Sequence, residues 1–223
     1  MKLVLSSFGL GVEAVTEKIV EFVGKPADKI SVAIINEAHS VDDTDKRWQI
    51  DQLHRCTQTF GGMIRIVNLL ALDIAEIEKR LTASDVIFCL GGNTFWLKTV
   101  FERSGFEKIL PKLLDKKVWF GQSAGSIILG KVATYREQFR KKDYYKGDVT
   151  KFYRIVDCHI IPHVGISDDP KYKFETCIEE SKRQSSPVYA LSDEGALVVD
   201  GEKMYMIGKN CHKIENGKIM ESI

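Results

Sequence analysis

No apolar run in this sequence approaches the roughly 20 residues that a membrane-spanning helix needs, which excludes a helical span. The opening MKLVLSSFGLGVEAVTEK has too short an apolar part, and turns acidic too soon, to read as a signal peptide. A charge excess of one sign is missing as well. Lys and Arg number 32 against 31 Asp and Glu, a formal net charge of +1, so no global field draws the chain to nucleic acid or membrane. Paired cysteines are absent too: Cys56, Cys89, Cys158, Cys177 and Cys211 are odd in number and form no CxxC. With Cys89 inside an apolar, strand-like run, these read as buried thiols rather than disulfides or a metal cluster, and a reducing cytoplasm is the simplest setting. No repeat, low-complexity tract or linker interrupts the 223 residues, which fit one domain over 1–223 with a substantial core.

What is present is an alternation. KLVLSS (2–7), ISVAIIN (30–36), MIRIVNL (63–69), DVIFCLGG (85–92) and KVWFGQ (117–122) are short, continuous apolar runs, the pattern of strands buried on both faces. Between them VEAVTEKIVEFVG, KRWQIDQLHRCTQTF, DIAEIEKRLTA and TFWLKTVFERSGFEKILPKLL carry apolar residues at helical spacing. Strands alternating with helices predict an α/β fold with a mostly parallel sheet covered on both faces. Right-handed crossovers then gather the strand C-termini, and the functional loops, on one edge. Past residue 132 the pattern changes. The stretch 135–154 is polar, aromatic and basic and reads as a solvated loop over the active edge rather than a nucleic-acid patch. IVDCHIIPHV (155–164) returns to strand character, a helix is expected around 171–184, and the β-like pieces VYAL, GALVVDG and KMYMIG follow as a C-terminal extension.

The chemistry concentrates at VWFGQSAGSIILG (118–130). Gly121-Gln122-Ser123-Ala124-Gly125 fits G-x-S-x-G, with a predicted strand before it and a helix after it. Glycines flank the serine because a sharp strand-to-helix turn crowds its neighbours, and the turn pushes Ser123 Oγ out at the sheet edge. The bland alternative is a plain βα turn made of small residues. A serine hydroxyl needs a base. His163 closes the strand IIPHV, where functional groups gather. His159 lies on the same face four residues earlier, so position rather than alternation favours His163. An acid should then hold the imidazole. Asp193 and Glu194 stand in the turn of LSDEGALVV, and Asp143 and Asp148 in the basic stretch; each could equally be a solvated turn residue. A second glycine site, CLGGNTFWL (89–97), ends a strand with Gly91-Gly92 and starts a helix with Asn93-Thr94 as N-cap. The Gly92 and Ala124 N–H groups together would make an oxyanion hole, worth several kcal/mol to acyl transfer. No GxxxxGK[ST] phosphate loop is present.

GGNTFWL (91–97), GQSAG (121–125), IIPHV (160–164) and SDEGALVV (192–199) together resemble the dipeptidase E (alpha-aspartyl dipeptidase) family of serine peptidases, relatives of cyanophycinase, over roughly residues 1–208. The resemblance implies a three-layer, doubly wound, flavodoxin-like sheet akin to class I glutamine amidotransferases, with serine in place of their cysteine. It implies Ser123 as nucleophile and His163 as base. For the third member, the acid of the EG turn matches Glu194, and an acid in the loop after the serine would fall near Asp143; Glu194 is the expectation. It further implies short peptide substrates; an acyl-enzyme route needs no metal or organic cofactor, and a homodimer stays open as an assembly. One departure stands out. Family members that cleave after an N-terminal aspartate carry an arginine just beyond a Gly-Glu-Thr element. Here Glu175-Thr176 is followed by Cys177, which puts aspartate specificity in doubt.

Two other readings stay open at this level. An esterase with the order Ser, acid, His would use Ser123, Glu194 and His212, although His212 lies in the polar, turn-like tail GKNCHKIENGK. A non-catalytic or regulatory member of the same fold would keep Ser123 as a relic.

Overall fold

The computed structural model describes residues 1–131 and 152–223, so most of the basic stretch 135–154, with Asp143 and Asp148, lies outside the described residues. Strands β1 (Lys2–Ser6), β2 (Val32–Ile35), β3 (Ile64–Ile66), β4 (Val86–Cys89) and β5 (Val118–Gln122) run parallel. With β8 (Gly195–Asp200) antiparallel to β1, and β9 (Lys203–Gly208) antiparallel to β8, they form a seven-stranded sheet in the order β3-β2-β4-β5-β1-β8-β9. The continuous apolar runs are explained by how their residues divide. Leu3, Leu5, Ile87, Cys89 and Trp119 enter one buried cluster, whereas Val4, Val86, Phe88, Val118 and Phe120 enter another. Period-2 alternation sends successive side chains to opposite faces, and both faces are covered.

Helices α1 (Glu13–Val23) and α2 (Arg47–Thr59) cover the second cluster through Val15, Ile19, Phe22 and Cys56. Helices α3 (Ile74–Thr82), α4 (Thr94–Ser104) and α5 (Leu110–Leu114) cover the first through Ile77, Leu81, Phe95, Phe101 and Leu113. The result is the expected three-layer α/β arrangement. The helical stretch 94–114 breaks at Gly105, whose φ of 73° ends α4 in a left-handed cap.

The C-terminal third departs from the expected simple extension. Strands β6 (His159–Ile161), β7 (Val188–Ala190), β10 (His212–Glu215) and β11 (Lys218–Ser222) build a separate four-stranded sheet ordered β11-β10-β7-β6. Helix α7 (Phe174–Ser181) packs on it through a cluster of Ile161, Val164, Cys177, Val188, Ala190 and Ile214. In sequence the hairpin β10–β11 looks like a polar tail, because every β11 residue is exposed and the strand shows no buried alternation. Its turn was nonetheless written as Asn216-Gly217, at φ 49° and 76°, the dipeptide that accepts two left-handed positions. Among the described residues no helix is long and apolar enough to cross a membrane.

Candidate active site

The site sits where the two sheets meet, at the C-terminal ends of β1, β4 and β5. Ser123 follows β5 directly and precedes α6 (Ala124–Ile127), with φ 47° and ψ −105°. A non-glycine residue in this region stores about 1–3 kcal/mol of strain, which the surroundings must hold in place. They do so by close packing. A Cβ on Gly125 would lie 2.1 Å from the Cys89 carbonyl oxygen, and one on Gly121 would lie 2.5 Å from the Gly125 carbonyl oxygen. The Ser123 N–H donates to Ser6 O at 3.0 Å, and Ser126 Oγ donates to the same carbonyl at 2.8 Å. The helix after Ser123 is only four residues long, shorter than the apolar run SIILG suggests.

His163 lies two residues past β6, also with positive φ, at 61°. Its Nε2 is 3.0 Å from Ser123 Oγ and its Nδ1 is 2.6 Å from Asp193 Oδ1. Both side chains of the second pair are partly exposed, 21% for His163 and 31% for Asp193. The structure corrects the expectation for the acid, because the carboxylate on the imidazole is that of Asp193 and not Glu194. Both stand in the turn that carries the chain from β7 in one sheet to β8 in the other. Ser192 Oγ tethers that turn, donating to Lys209 O at 2.6 Å and accepting the Glu194 N–H at 3.1 Å. Asp193 then faces the end of β1, while the adjacent Glu194 side chain is exposed.

Residue Ser7, which the sequence did not single out, completes this corner. Its Oγ donates to Asp193 Oδ1 at 2.7 Å, accepts the His163 backbone N–H at 2.7 Å, and lies 3.3 Å from His163 Nδ1. Gln122 is a second unmarked residue. Its Oε1 accepts the Gly91 N–H at 3.2 Å and its Nε2 donates to Phe8 O at 2.6 Å, tying the loops after β1 and β4 together beside Ser123. The only signal for either was polarity at the end of an apolar strand.

Gly91 and Gly92 run past the serine, since a Cβ on Gly91 would meet Ser123 Cβ at 3.2 Å. Gly92 has φ 140° and presses against Ala38 and His39, where a Cβ would come within 2.5 Å of the Ala38 carbonyl. Asn93 caps α4, its side chain accepting the Phe95 and Trp96 N–H groups at 3.1 Å each. Among the described residues neither the Gly92 nor the Ala124 N–H has an acceptor.

The remaining candidates separate cleanly. His159 is buried within β6, with its N–H on Pro187 O. His212 belongs to the C-terminal hairpin, its Nδ1 paired with Ser222 Oγ at 2.7 Å. His54 is exposed on α2. No thiol competes with Ser123: all five cysteines are buried, and burial pushes the Cys56 and Cys158 thiols up to about 12. Cys177, at the position of the family's arginine, is 1% exposed in the cluster under α7. Beside it an open cavity of about 740 Å³ begins two residues from His163 and is lined by Asp168, Lys173 and Glu175 among others.

A strained serine at a strand-to-helix turn of a parallel α/β sheet, facing an imidazole that in turn faces a carboxylate, defines the class of serine hydrolases with a nucleophile elbow. Peptidase family S51 matches residues 3–207, and the chain belongs to that family. It is a serine peptidase of the peptidase E type. It is similar to an uncharacterized peptidase of Pasteurella multocida (strain Pm70), 23% identical over 199 residues, covering 88% of this chain and 93% of that one. An uncharacterized peptidase of Listeria monocytogenes serovar 1/2a is 25% identical over 179 residues, covering 78% and 84%. Among solved structures, a Listeria monocytogenes EGD-e protein named as a candidate peptidase E superposes with a TM-score of 0.75 at 21% identity, covering 93% of this chain and 98% of that one. A peptidase from an acI-B1 Actinobacterium gives 0.69 at 16% identity, covering 96% and 91%.

Proposed function

We propose that this chain hydrolyses short peptides through an acyl-enzyme, with Ser123 as nucleophile, His163 as general base and acid, and Asp193 as the group that orients the imidazole. Ser123 Oγ attacks the scissile carbonyl carbon while its proton passes to His163 Nε2. The carbonyl electrons move to oxygen, where the Gly92 and Ala124 N–H groups receive the negative charge. Collapse of this intermediate breaks the C–N bond, and the Nε2 proton goes to the leaving amine. Water then repeats the sequence on the ester, losing its proton to Nε2 and releasing the acid and Ser123. Asp193 accepts the Nδ1 proton in a hydrogen bond throughout, which keeps the Nε2 lone pair on the serine and stabilises the imidazolium.

The observation that carries this reading is the pair of hydrogen bonds on one imidazole, 3.0 Å to Ser123 Oγ and 2.6 Å to Asp193 Oδ1. The same pair speaks against the esterase arrangement, since His212 is engaged with Ser222 in the hairpin. It speaks against a relic serine as well, because an idle site has no reason to keep two strained residues in register. The reading includes no requirement for aspartate. Cys177 sits in an apolar cluster, and the cavity near His163 mixes Lys173 with Asp168 and Glu175.

A fluorophosphonate probe should label the protein at Ser123, and a library of dipeptides and short peptides read by mass spectrometry should show cleavage. Absence of labelling would end the reading. Cleavage of folded proteins but not of short peptides would end the small-substrate part of it.

A further inference from the structure

We propose that Ser7 is a positioning residue of this peptidase: one hydroxyl holds both the carboxylate that fixes the His163 tautomer and the backbone geometry of His163. The proposal rests on the triad reading above. Ser7 is fully buried at the end of β1, 156 residues away from His163 and 186 from Asp193 in sequence. Its Oγ makes contacts of three kinds at once, to the Asp193 carboxylate, to the His163 N–H and to the edge of the imidazole at Nδ1.

A hydroxyl has a single hydrogen. Asp193 Oδ1 as a carboxylate can only accept, so at 2.7 Å the Ser7 hydrogen is committed to it. Ser7 Oγ therefore cannot donate to Nδ1, and the 3.3 Å approach adds a second acceptor beside that nitrogen. Nδ1 faces Oδ1 and Oγ, neither with a hydrogen to offer it. It must carry the proton itself, which leaves the lone pair of Nε2 turned to Ser123. Through its bond to Oδ1, Ser7 holds the carboxylate in the orientation that faces Nδ1.

The backbone bond acts on a different variable. His163 holds φ at 61°, a conformation uncommon for a non-glycine residue and costly unless held. The N–H that Ser7 accepts at 2.7 Å is that of this same residue. Ser7 N–H also donates to Gly195 O at 3.3 Å, so the strand end is fastened to the far side of the Asp193 turn. Strand β1 belongs to the mostly parallel sheet and β6 to the other, so Ser7 is one place where the nucleophile's sheet grips the base.

The test is the concentration dependence of fluorophosphonate labelling, split into the maximal rate and the half-saturating concentration, for wild type, Ser123→Ala, Ser7→Ala and Ser7→Thr. Ser7→Ala should lower the maximal rate about 10²-fold, the scale of a misplaced catalytic group, with the half-saturating concentration unchanged. Its melting curve shows whether the loss is one of folding. The far-downfield proton resonance of the Nδ1–H···Oδ1 bond should shift or broaden in Ser7→Ala and return in Ser7→Thr, together with most of the rate. A folded Ser7→Ala labelling at the wild-type rate, or a loss carried wholly by the half-saturating concentration, would overturn the role. So would a Ser7→Thr that melts like wild type yet labels like Ser7→Ala. No labelling of wild type at all would instead sink the triad, leaving the two failures distinct.

Discussion

Two turns meet at the His163 imidazole, and they are specified by different physics. The turn after β5 carries Ser123 and is dictated by steric limits within a few residues. Gly121 and Gly125 are needed because their Cβ atoms would strike backbone oxygens within 2.5 and 2.1 Å, and the strand and helix flanking them are short-range patterns. The turn between β7 and β8 carries Asp193 and has no such local rule. Two adjacent acids occupy it, and what distinguishes them is a hydroxyl 186 residues earlier in the chain together with a tether to Lys209. The serine's side of the site is written locally, whereas the carboxylate's side is written by the meeting of two sheets.

The largest expected effect tests the local half. Ser123→Ala and His163→Ala should each lower peptide hydrolysis by about 10⁴–10⁶-fold, and the double variant should be hardly worse than either, since the two act as a unit. Additive losses in steady-state assays would mean they act separately. Gly125→Ala comes next. Overpacking against Cys89 O should destabilise the fold by about 1–3 kcal/mol and dislodge the serine, read by chemical denaturation and probe labelling. A fully stable, active variant would show the turn to be less constrained than its geometry.

A smaller effect concerns the floor of the active edge. Burial pushes the Glu37 carboxyl up from its ordinary value, against the N–H groups of Leu69 and its neighbours that favour the charged form. The unfolded chain then ionises this group first, at about pH 4, so its share of stability is lost as pH rises through that value to the folded one. Glu37→Gln removes the loss, and its melting temperature should gain on wild type between pH 4 and pH 8. A constant difference would contradict the assignment. The smallest effect is none: His212→Ala, in the hairpin outside the site, should leave labelling unchanged.

Legibility in the sequence follows the same division. The five parallel strands, their order along the chain and the helices between them were readable because buried strands and amphipathic helices carry distinct local periods. Residues Ser123 and His163 were readable as candidates, the first from its glycines and the second from its place at a strand end. Hairpin β10–β11 was not, because an exposed edge strand has no buried alternation to display. Asp193 could be named only together with Glu194, since a turn between sheets has no period to assign its faces. Ser7 could not be found at all, for nothing in KLVLSS tells a hydroxyl at a strand end from any other.

The most direct measurement is the paired comparison of Asp193→Asn and Glu194→Gln in fluorophosphonate labelling and short-peptide hydrolysis, with melting curves to show both folded. Asp193→Asn should fall by about 10⁴-fold, the cost of losing the carboxylate that fixes the imidazole tautomer, while Glu194→Gln stays at the wild-type rate. The reverse ranking, or equal losses in the two variants, would contradict the geometry of the acid's turn and the account built on it.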